Sequence, residues 1–458
     1  MFFKQIYNRQ LSQYSYLIGC EKTKEALLID PMRLLDGYEK TAEEEGLTIT
    51  GVTETHIHAD YASGLRDAAE YFDAVPYVSD AGGDGSWAYK NMPDSTVYLK
   101  DGDVITVGEQ IHLQVLSTPG HTPESLSFVL TDRGVKSVVP MGIFTGDFIF
   151  VSDIGRPDLL EKTNPEDESS REAAADMFES VQKMGAYRCF MQIWPGHGAG
   201  SPCGKAIGKV PITTLGYERR NNRAFKLKSK EKFIDELLEG QTEPPTYFAQ
   251  MKKVNQEGLL PPFQLRNIPL AQENGFSGQI FDLRPRGEFA KGFIKEAVNI
   301  PYNDQFLNFM GWFVDYDEPM AVIANPDDID AIQRGLALIG YDQLACIVPA
   351  DQIDAYLNAS YEWISPEEFL ALEEDDLQVL DVRDEMEWEE GHVPGAVNRH
   401  FGLLADEELD FDPEEPVYVY CQSGVRTGIA ASVLSSLGYA DIYSIEGGYN
   451  ILEKELGK

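Results

Sequence analysis

Apolar positions along the first 240 or so residues fall in short runs, which alternate with helix-like segments and with turns rich in Gly and Pro. The runs at 14–19, 26–29 and 47–52 have the length and residue types of β-strands. We expect the first two to pair, because a short polar segment joins them. Strands that alternate with helices in this way predict an α/β fold.

The remainder of the chain contains an internal repeat. The triplet Asp-Leu-Arg at 282–284 matches Asp-Val-Arg at 381–383, and Ala-Val-Asn at 297–299 recurs at 396–398. Both pairs share one offset, since 381 − 282 and 396 − 297 both equal 99. A repeat of about 100 residues is a duplicated domain rather than a solenoid unit. Each copy alternates strands and helices, which predicts two small α/β domains with parallel sheets.

Turn-rich segments at 241–245 and 259–262 separate the repeat from the first part of the chain. We therefore predict three domains, at residues 1–245, 265–357 and 362–458.

The composition is strongly acidic, with 76 Asp and Glu against 38 Lys and Arg and a formal net charge of −38. This charge argues against nucleic acid or an anionic membrane as a partner. It is explained by a solvated surface in a salt-tolerant cell or by a docking surface for a basic partner.

No apolar run reaches the roughly 18 residues of a membrane span, and the start of the chain lacks the apolar region of a signal peptide. The five cysteines are scattered, odd in number and without a CxxC pair, as expected in a reducing compartment. We expect a cytoplasmic protein.

Histidines and aspartates cluster in four short motifs, each of which ends or follows an apolar run. Four of the seven histidines in the chain belong to these motifs. Glycines beside three of the motif residues allow the tight turns that a buried metal site requires. We therefore expect a metal site at one sheet edge, built from His56, His58, Asp60, His121, Asp147 and His197.

In their order and spacing, these motifs resemble the metallo-β-lactamase superfamily, whose fold is an αββα sandwich with metals at one sheet edge. Glyoxalase II hydrolases of this superfamily hold two metals and use a histidine at the position of Tyr61. Persulfide dioxygenases hold one iron, and by resemblance their ligands fall on His56, His121 and Asp147. Two imidazoles and one carboxylate also form the facial triad of non-haem Fe(II) oxygenases, which leaves positions for a substrate sulfur and O2.

We therefore expect one Fe(II) per chain, with zinc as an adventitious occupant. A phenol with a pKa of about 10 is a poor ligand for a second divalent ion, although Tyr61 is equally explained as a packed aromatic residue. His58, Asp60 and His197 then become residues that orient the ligands or handle protons.

Two further residues lie close in sequence to the metal motifs. Arg156 either holds its loop or a substrate carboxylate, or forms an ion pair with Asp153 or Asp158. Cys203 either carries sulfur or senses oxidation near the metal, or is a small buried residue.

Near the C-terminus, Cys421 lies between a β-rich run at 417–420 and a predicted helix that ends before Gly438. Loop amides and the helix dipole at this position favour a thiolate, a persulfide or a bound oxyanion. Arg426 adds a fixed positive charge. The sulfur or oxyanion loop comprises Gln422, Ser423, Gly424 and Val425.

The cysteine loop resembles a rhodanese active site, with Cys421 and Arg426 as its catalytic residues. Four residues separate the two, whereas cysteine-dependent phosphatases have five, so the shorter loop favours sulfur transfer. The corresponding loop of the first copy, at 324–328, contains neither cysteine nor arginine and carries two aspartates. The first copy therefore resembles an inactive rhodanese domain.

Taken together, the chain resembles a persulfide dioxygenase–rhodanese fusion of sulfide detoxification. The resemblance implies oxidation of a low-molecular-weight thiol persulfide (glutathione, coenzyme A or bacillithiol class) by Fe(II) and O2 to sulfite. Cys421 would then form or use thiosulfate. We also expect a homo-oligomer and neither nucleic-acid nor membrane partners.

Two alternatives remain. One is a glyoxalase II-like thioester hydrolase with an appended thiosulfate sulfurtransferase, against which Tyr61 argues. The other is a sulfur-relay protein whose first half only binds a carrier.

Overall fold

The computed structural model describes residues 1–82, 85, 87–158, 169–271, 276, 278–372, 377–406 and 408–457. The chain forms two compact units. The first comprises Met1–Gln264 with Ala337–Gly340, and the second comprises Leu265–Leu336 with Tyr341–Lys458. Within the described ranges, no helix combines the length and the apolar character needed to cross a membrane.

The first unit contains two six-stranded sheets. The strands of the first sheet, in spatial order, are β1 (Phe2–Asn8), β2 (Gln13–Gly19), β3 (Glu25–Ile29), β4 (Thr48–Thr53), β5 (Val75–Ser79) and β6 (Val97–Leu99). Those of the second, also in spatial order, are β7 (Val104–Val107), β8 (Ile111–Ser117), β9 (Leu126–Asp132), β10 (Gly142–Gly146), β11 (Gln192–Pro195) and β12 (Thr213–Thr214).

Helices cover the outer faces of both sheets. The helices of this unit are α1 (Asp36–Glu44), α2 (Leu65–Tyr71), α3 (Ser169–Lys183), α4 (Leu215–Asn221), α5 (Arg223–Lys226), α6 (Lys230–Leu238) and α7 (Phe248–Glu257). Apolar residues of α1 and α2 pack on the first sheet, and those of α3 and α6 on the second. Between the sheets lies an aromatic core, in which the Phe144 ring centre lies 4.9 Å from that of Tyr16 and 4.7 Å from that of Trp194. The predicted αββα sandwich is confirmed.

Of the neighbouring strands given above, four pairs are parallel, and they include β3 with β4 and β10 with β11. The carboxyl ends of parallel neighbours lie at the same edge of a sheet, so the residues that follow them are brought together. The predicted pairing of β2 with β3 is also confirmed, and it is antiparallel.

The second unit contains two fully parallel sheets. Their strands are β13 (Gln279–Asp282), β14 (Ala297–Asn299), β15 (Met320–Ala324), β16 (Leu344–Pro349), β17 (Glu362–Ile364), β18 (Gln378–Asp381), β19 (Val397–Asn398), β20 (Val417–Tyr420) and β21 (Ile442–Ile445). Their helices are α8 (Arg286–Phe289), α9 (Phe306–Met310), α10 (Ile329–Leu338), α11 (Pro366–Leu370), α12 (Glu385–Glu390), α13 (Val425–Leu437) and α14 (Tyr449–Leu456).

The two sheets have equivalent strand orders, which supports the duplication read from the sequence. The first is ordered β14-β13-β15-β16, and the second contains the matching series β19-β18-β20-β21 with β17 added at the edge.

A polar network is repeated in the same way. Arg284 pairs with the Asp282 carboxylate (Nη2–Oδ2 2.6 Å) and donates to the Gly292 carbonyl. Arg383 pairs with Asp381 (2.7 Å) and donates to the Gly391 carbonyl. Each network therefore locks the loop after its central strand.

Replacement of Arg284 by Met should destabilise the second unit by about 3 kcal/mol, because the buried carboxylate of Asp282 loses its charge partner. Burial already raises the pKa of Asp282, even though Arg284 favours its ionised form. The shift in the urea unfolding midpoint measures the effect. The control, Lys291→Met, removes an exposed cation of the same copy and should change stability by less than about 0.5 kcal/mol. Equal shifts for the two variants would contradict the proposed role of the network.

Candidate functional site

The predicted ligands meet at the edge of the sandwich where the parallel strands end. His56 follows β4, and Asp147 follows β10 directly. Gly146, the last residue of β10, has a φ of +49°, and a Cβ there would lie 2.2 Å from Thr55 Oγ1. Glycine is therefore required where the Asp147 strand approaches the loop of His56.

Three donor atoms form a compact cluster, with His56, His121 and Asp147 all buried. The Oδ2 atom of Asp147 lies 3.9 Å from His56 Nε2 and 3.5 Å from His121 Nε2. The Nδ1 atom of His121 contacts the backbone carbonyl of Arg156 at 2.9 Å. A carbonyl only accepts hydrogen bonds, so Nδ1 carries the proton and Nε2 keeps a free lone pair directed at the cluster.

A second group of donors lies beside the first and comprises Asp60, His197 and Cys203. His197 Nε2 lies 3.2 Å from Asp60 Oδ2 and 3.4 Å from Asp147 Oδ1. The structure thus brings all four predicted metal motifs together.

Several of these buried polar atoms have no hydrogen-bond partner in the described part of the chain. They include both carboxylate oxygens of Asp60 and of Asp147, and both ring nitrogens of His197. Unpartnered polar atoms are rare in protein interiors because burying them is unfavourable. A bound cation would compensate for this, so the donor set fits a metal site.

Burial sets the protonation of the cluster. It raises the pKa of Asp147 to about 6 and lowers the pKa of His121 to about 4. Burial, with the neighbouring histidines, also lowers the pKa of His56 well below its ordinary value. At pH 7 the carboxylate is therefore ionised and these two imidazoles are neutral, which are the forms that bind metals.

Asp30, which follows β3, was missed by the sequence analysis. Its Oδ1 accepts from the backbone N–H of Thr55 at 2.6 Å and lies 3.1 Å from His58 Nε2. Its φ of +51° is unusual for a residue other than glycine. The sequence did contain a signal for Asp30, because it is an acidic residue at the end of an apolar strand beside the His56 strand.

His58 and Tyr61 lie against this support rather than in the three-residue cluster. Burial disfavours the charged form of His58, but the hydrogen bond and charge of Asp30 outweigh it and raise its pKa to about 9. The Tyr61 ring lies 4.4 Å from the His58 ring. Its hydroxyl accepts from Gln13 Nε2 at 3.2 Å and contacts the Asp30 carbonyl at 3.5 Å. In the structure, Tyr61 is thus a packed aromatic residue in the protein interior.

Helix α7 also anchors the metal loop, although it is about 190 residues distant in sequence. The Tyr247 hydroxyl donates to the Asp60 carbonyl at 2.6 Å. The Asn255 amide donates to the carbonyls of His58 and Tyr61, each at 2.7 Å. Neither residue had a sequence signal. These contacts explain why the first unit extends past residue 245, the predicted end of the first domain.

Arg156 and Cys203 are both buried beside the site. The Arg156 guanidinium forms a two-point ion pair with Asp158 (2.9 and 2.6 Å) and donates to the Thr242 carbonyl. Among the interpretations of Arg156 that the sequence left open, the structure therefore shows the ion pair, and its partner is Asp158. Burial and the charges of Asp60 and Asp147 raise the pKa of Cys203 well above its ordinary value, so it stays a thiol at neutral pH.

The cysteine loop belongs to the second unit and has the predicted strand-loop-helix setting. Cys421 follows β20, is buried, and its Sγ accepts from the Gly424 N–H at 3.1 Å. Gly424 has a φ of +88° and caps α13, which ends at Leu437 with Gly438 as its C-cap, as predicted. A left-handed residue at this point turns the loop back over the sulfur.

Charged residues surround the loop. Arg426 forms a two-point ion pair with Glu387 (2.6 and 2.8 Å). Arg383 donates to the Gln422 side chain at 2.9 Å, which ties the loop to the duplicated polar network. Glu387 had no signal in the sequence as a site residue, since an acidic residue beside an anion site has no expected motif.

Comparison with known proteins agrees with this geometry. Residues 8–193 match the metallo-beta-lactamase superfamily, and residues 365–455 match the rhodanese-like domain. The crystal structure of a metallo-beta-lactamase from Staphylococcus aureus subsp. aureus COL is 48% identical, with a TM-score of 0.71. The match covers 76% of this chain and 99% of that one. The chain therefore belongs to the metallo-β-lactamase superfamily and carries a C-terminal rhodanese-like domain.

Two kinds of curated relatives match the first unit. The probable hydroxyacylglutathione hydrolase glo2 of Schizosaccharomyces pombe is 33% identical over 149 residues, 32% of this chain and 52% of that protein. Persulfide dioxygenase ETHE1, mitochondrial, of Bos taurus is 29% identical over 163 residues, 34% of this chain and 56% of that protein. The chain thus spans about half the length of these relatives.

Metal affinity should fall as the pH is lowered through the pKa of Asp147, about 6. Below that value a proton competes with the metal for the carboxylate, so affinity should drop about tenfold per pH unit. His121, with a pKa of about 4, stays neutral down to pH 5 and adds little. Competition between the protein and a fluorescent zinc chelator, from pH 5 to 7.5, measures this. Asp147→Asn is the control and should bind weakly throughout, and a flat profile for the unmodified protein would contradict the assignment.

Proposed function

We propose that this chain oxidises low-molecular-weight thiol persulfides to sulfite at the His56, His121 and Asp147 centre and transfers sulfane sulfur through Cys421. The observation that carries the proposal is the buried three-residue cluster, beside which the Tyr61 hydroxyl is bonded to Gln13. Two imidazoles and one carboxylate suit a single ferrous ion.

Iron held by these residues would supply open positions for a persulfide sulfur and for O2. His121 keeps its Nε2 lone pair available because Nδ1 donates to the Arg156 carbonyl. The overall reaction is RSS⁻ + O2 + H2O → RSH + SO3²⁻ + H⁺. Its released proton has nearby acceptors in Asp60, whose pKa burial raises to about 6, and in His197, 3.2 Å away.

Cys421 performs the second reaction. Its thiolate takes the outer sulfur of a persulfide or of thiosulfate, forming one S–S bond as another breaks. Sulfite then attacks the sulfane sulfur on Cys421, thiosulfate leaves and the thiolate is regenerated. The Gly424 N–H, which reaches Sγ, stabilises the negative charge of the Cys421 thiolate.

A second candidate, thioester hydrolysis at a two-metal site, has one observation in its favour. Asp60 and His197 are buried beside Asp147, and their side-chain donor atoms form no hydrogen bond of normal geometry within the described residues, as a second metal would require. Against it, Tyr61 stands where such sites have a histidine ligand, and its hydroxyl is bonded to Gln13 and contacts the Asp30 carbonyl.

Replacement of His121 by Ala should abolish O2 consumption with glutathione or coenzyme A persulfide, because one of three ligands is lost. Activity should fall at least a hundredfold, together with bound iron. An oxygen electrode and metal analysis of the same sample measure both. His112→Ala, on β8, is the matched control and should retain both. Two metals per chain, thioester turnover and no O2 uptake would instead favour the hydrolase.

Replacement of Cys421 by Ser should stop thiosulfate formation and leave sulfite formation and O2 uptake intact, since the two reactions use separate centres. Chromatographic measurement of both anions tests this. Cys346→Ser removes another buried cysteine of the second unit and should leave both products unchanged. Loss of O2 uptake in Cys421→Ser would show that the two-centre scheme is wrong.

A further inference from the structure

The first copy of the repeat, which lacks a cysteine of its own, contacts the cysteine loop of the second copy. Arg286, at the start of α8, donates through Nη1 to the backbone carbonyl of Gly424. Gly424 is the residue whose N–H reaches Cys421 Sγ. The guanidinium also lies over the Trp363 ring, 5.0 Å from its centre, which restricts its orientation.

The two copies are packed closely where this contact forms. The N–H of Asn299, on β14 of the first copy, donates to Ser432 Oγ on α13 at 3.0 Å. A Cβ at Gly428 would lie 3.3 Å from both Arg286 Cβ and the Tyr361 hydroxyl. Only a small residue on α13 permits this approach, so Arg286 is held against the start of that helix.

The contact restricts the direction of a loop amide, together with the Thr427 hydroxyl, which donates to the same Gly424 carbonyl at 2.7 Å. The Gly424 carbonyl and the Val425 N–H belong to one planar trans peptide and point in opposite directions. Fixing the carbonyl therefore fixes the N–H. Val425 is the first residue of α13, so this N–H is one of the free donors at the helix N-terminus.

The positive charge of Arg286, beside the N-terminus of α13, also requires a negatively charged partner. The first turn of α13 contains no acidic residue, and a cation beside a helix N-terminus is disfavoured by the helix dipole. Arg426 is neutralised by Glu387, whereas the Arg286 guanidinium lies against the neutral Gly424 carbonyl and the Trp363 ring. An anion bound in the loop would balance this charge.

We propose that Arg286 is a positioning residue for the Cys421 loop. By holding the Gly424–Val425 peptide, it orients the loop amides to bind an anionic sulfur donor such as thiosulfate. This inference rests on the proposed sulfurtransferase reaction, and it assigns the cysteine-free copy a direct part in that reaction.

The test is a thiosulfate to cyanide sulfur transfer assay, S2O3²⁻ + CN⁻ → SO3²⁻ + SCN⁻, on the full chain. Arg286→Gln should raise KM for thiosulfate about tenfold, the usual effect of losing a charge-assisted hydrogen bond, and change kcat less than about twofold. Arg286→Lys should recover most of the affinity. Arg266→Gln is the matched control, because Arg266 also braces a carbonyl of the first copy, that of Leu344 at 2.9 Å, and it should behave as unmodified protein.

A neutral alkylating agent distinguishes positioning from loop collapse. The rate at which iodoacetamide modifies Cys421, read by mass spectrometry, should be the same in Arg286→Gln as in the unmodified chain. Unchanged KM in Arg286→Gln, or a raised KM with faster alkylation, would overturn the proposal. An equal KM increase in Arg266→Gln would do the same.

Failure of the proposed function has a separate signature, the absence of thiocyanate formation by the unmodified chain. Calorimetric titration of thiosulfate into Cys421→Ser protein, with and without Arg286→Gln, then still tests the anion-binding role. Weaker binding in the double variant supports it, and equal binding overturns it.

Discussion

The first unit depends on the convergence of parallel strand ends at one edge of the sandwich. Strands β3 and β4 bring Asp30 and His56 to this edge, and β10 and β11 bring Asp147 and His197. Convergence places two carboxylates and several imidazoles in the protein interior. The resulting atoms without hydrogen bonds make the fold unfavourable locally unless a cation binds, so metal binding and folding are coupled here.

Asp30 makes this arrangement possible. Its carboxylate connects the end of β3 to the loop after β4 and holds the His58 imidazolium. Tyr61 is the residue that departs from the two-metal pattern. Its ring packs against the His58 ring, so it stabilises the loop that carries His56 and His58. Tyr61 in place of a histidine is thus compatible with an intact, rigid site. The chemistry of the site is then decided by the remaining metal-donor residues.

The second unit separates structural and chemical roles between two copies of one domain. Both retain the Asp–Arg network that locks the loop after the central strand. Only one has a cysteine between strand and helix, and the other has Ala324 at the end of the equivalent strand. The first copy keeps its framework without the cysteine, because its Asp282–Arg284 pair and its sheet form without one.

The sequence by itself determined the features that depend on local order. Strand and helix patterns, the repeat at offset 99 and the strand-Cys-helix setting are found where the sequence predicts them, because each depends on neighbouring residues or a recognisable spacing. The four histidine and aspartate motifs lie together at one sheet edge, as expected. Only the tertiary structure identified Asp30, Asn255 and Arg286 as parts of the two sites. Each acts through a side-chain contact with a segment distant in sequence, and no periodicity records which distant segments become neighbours. The same reason explains why Cys203 remained ambiguous until folding placed it beside Asp60 and His197.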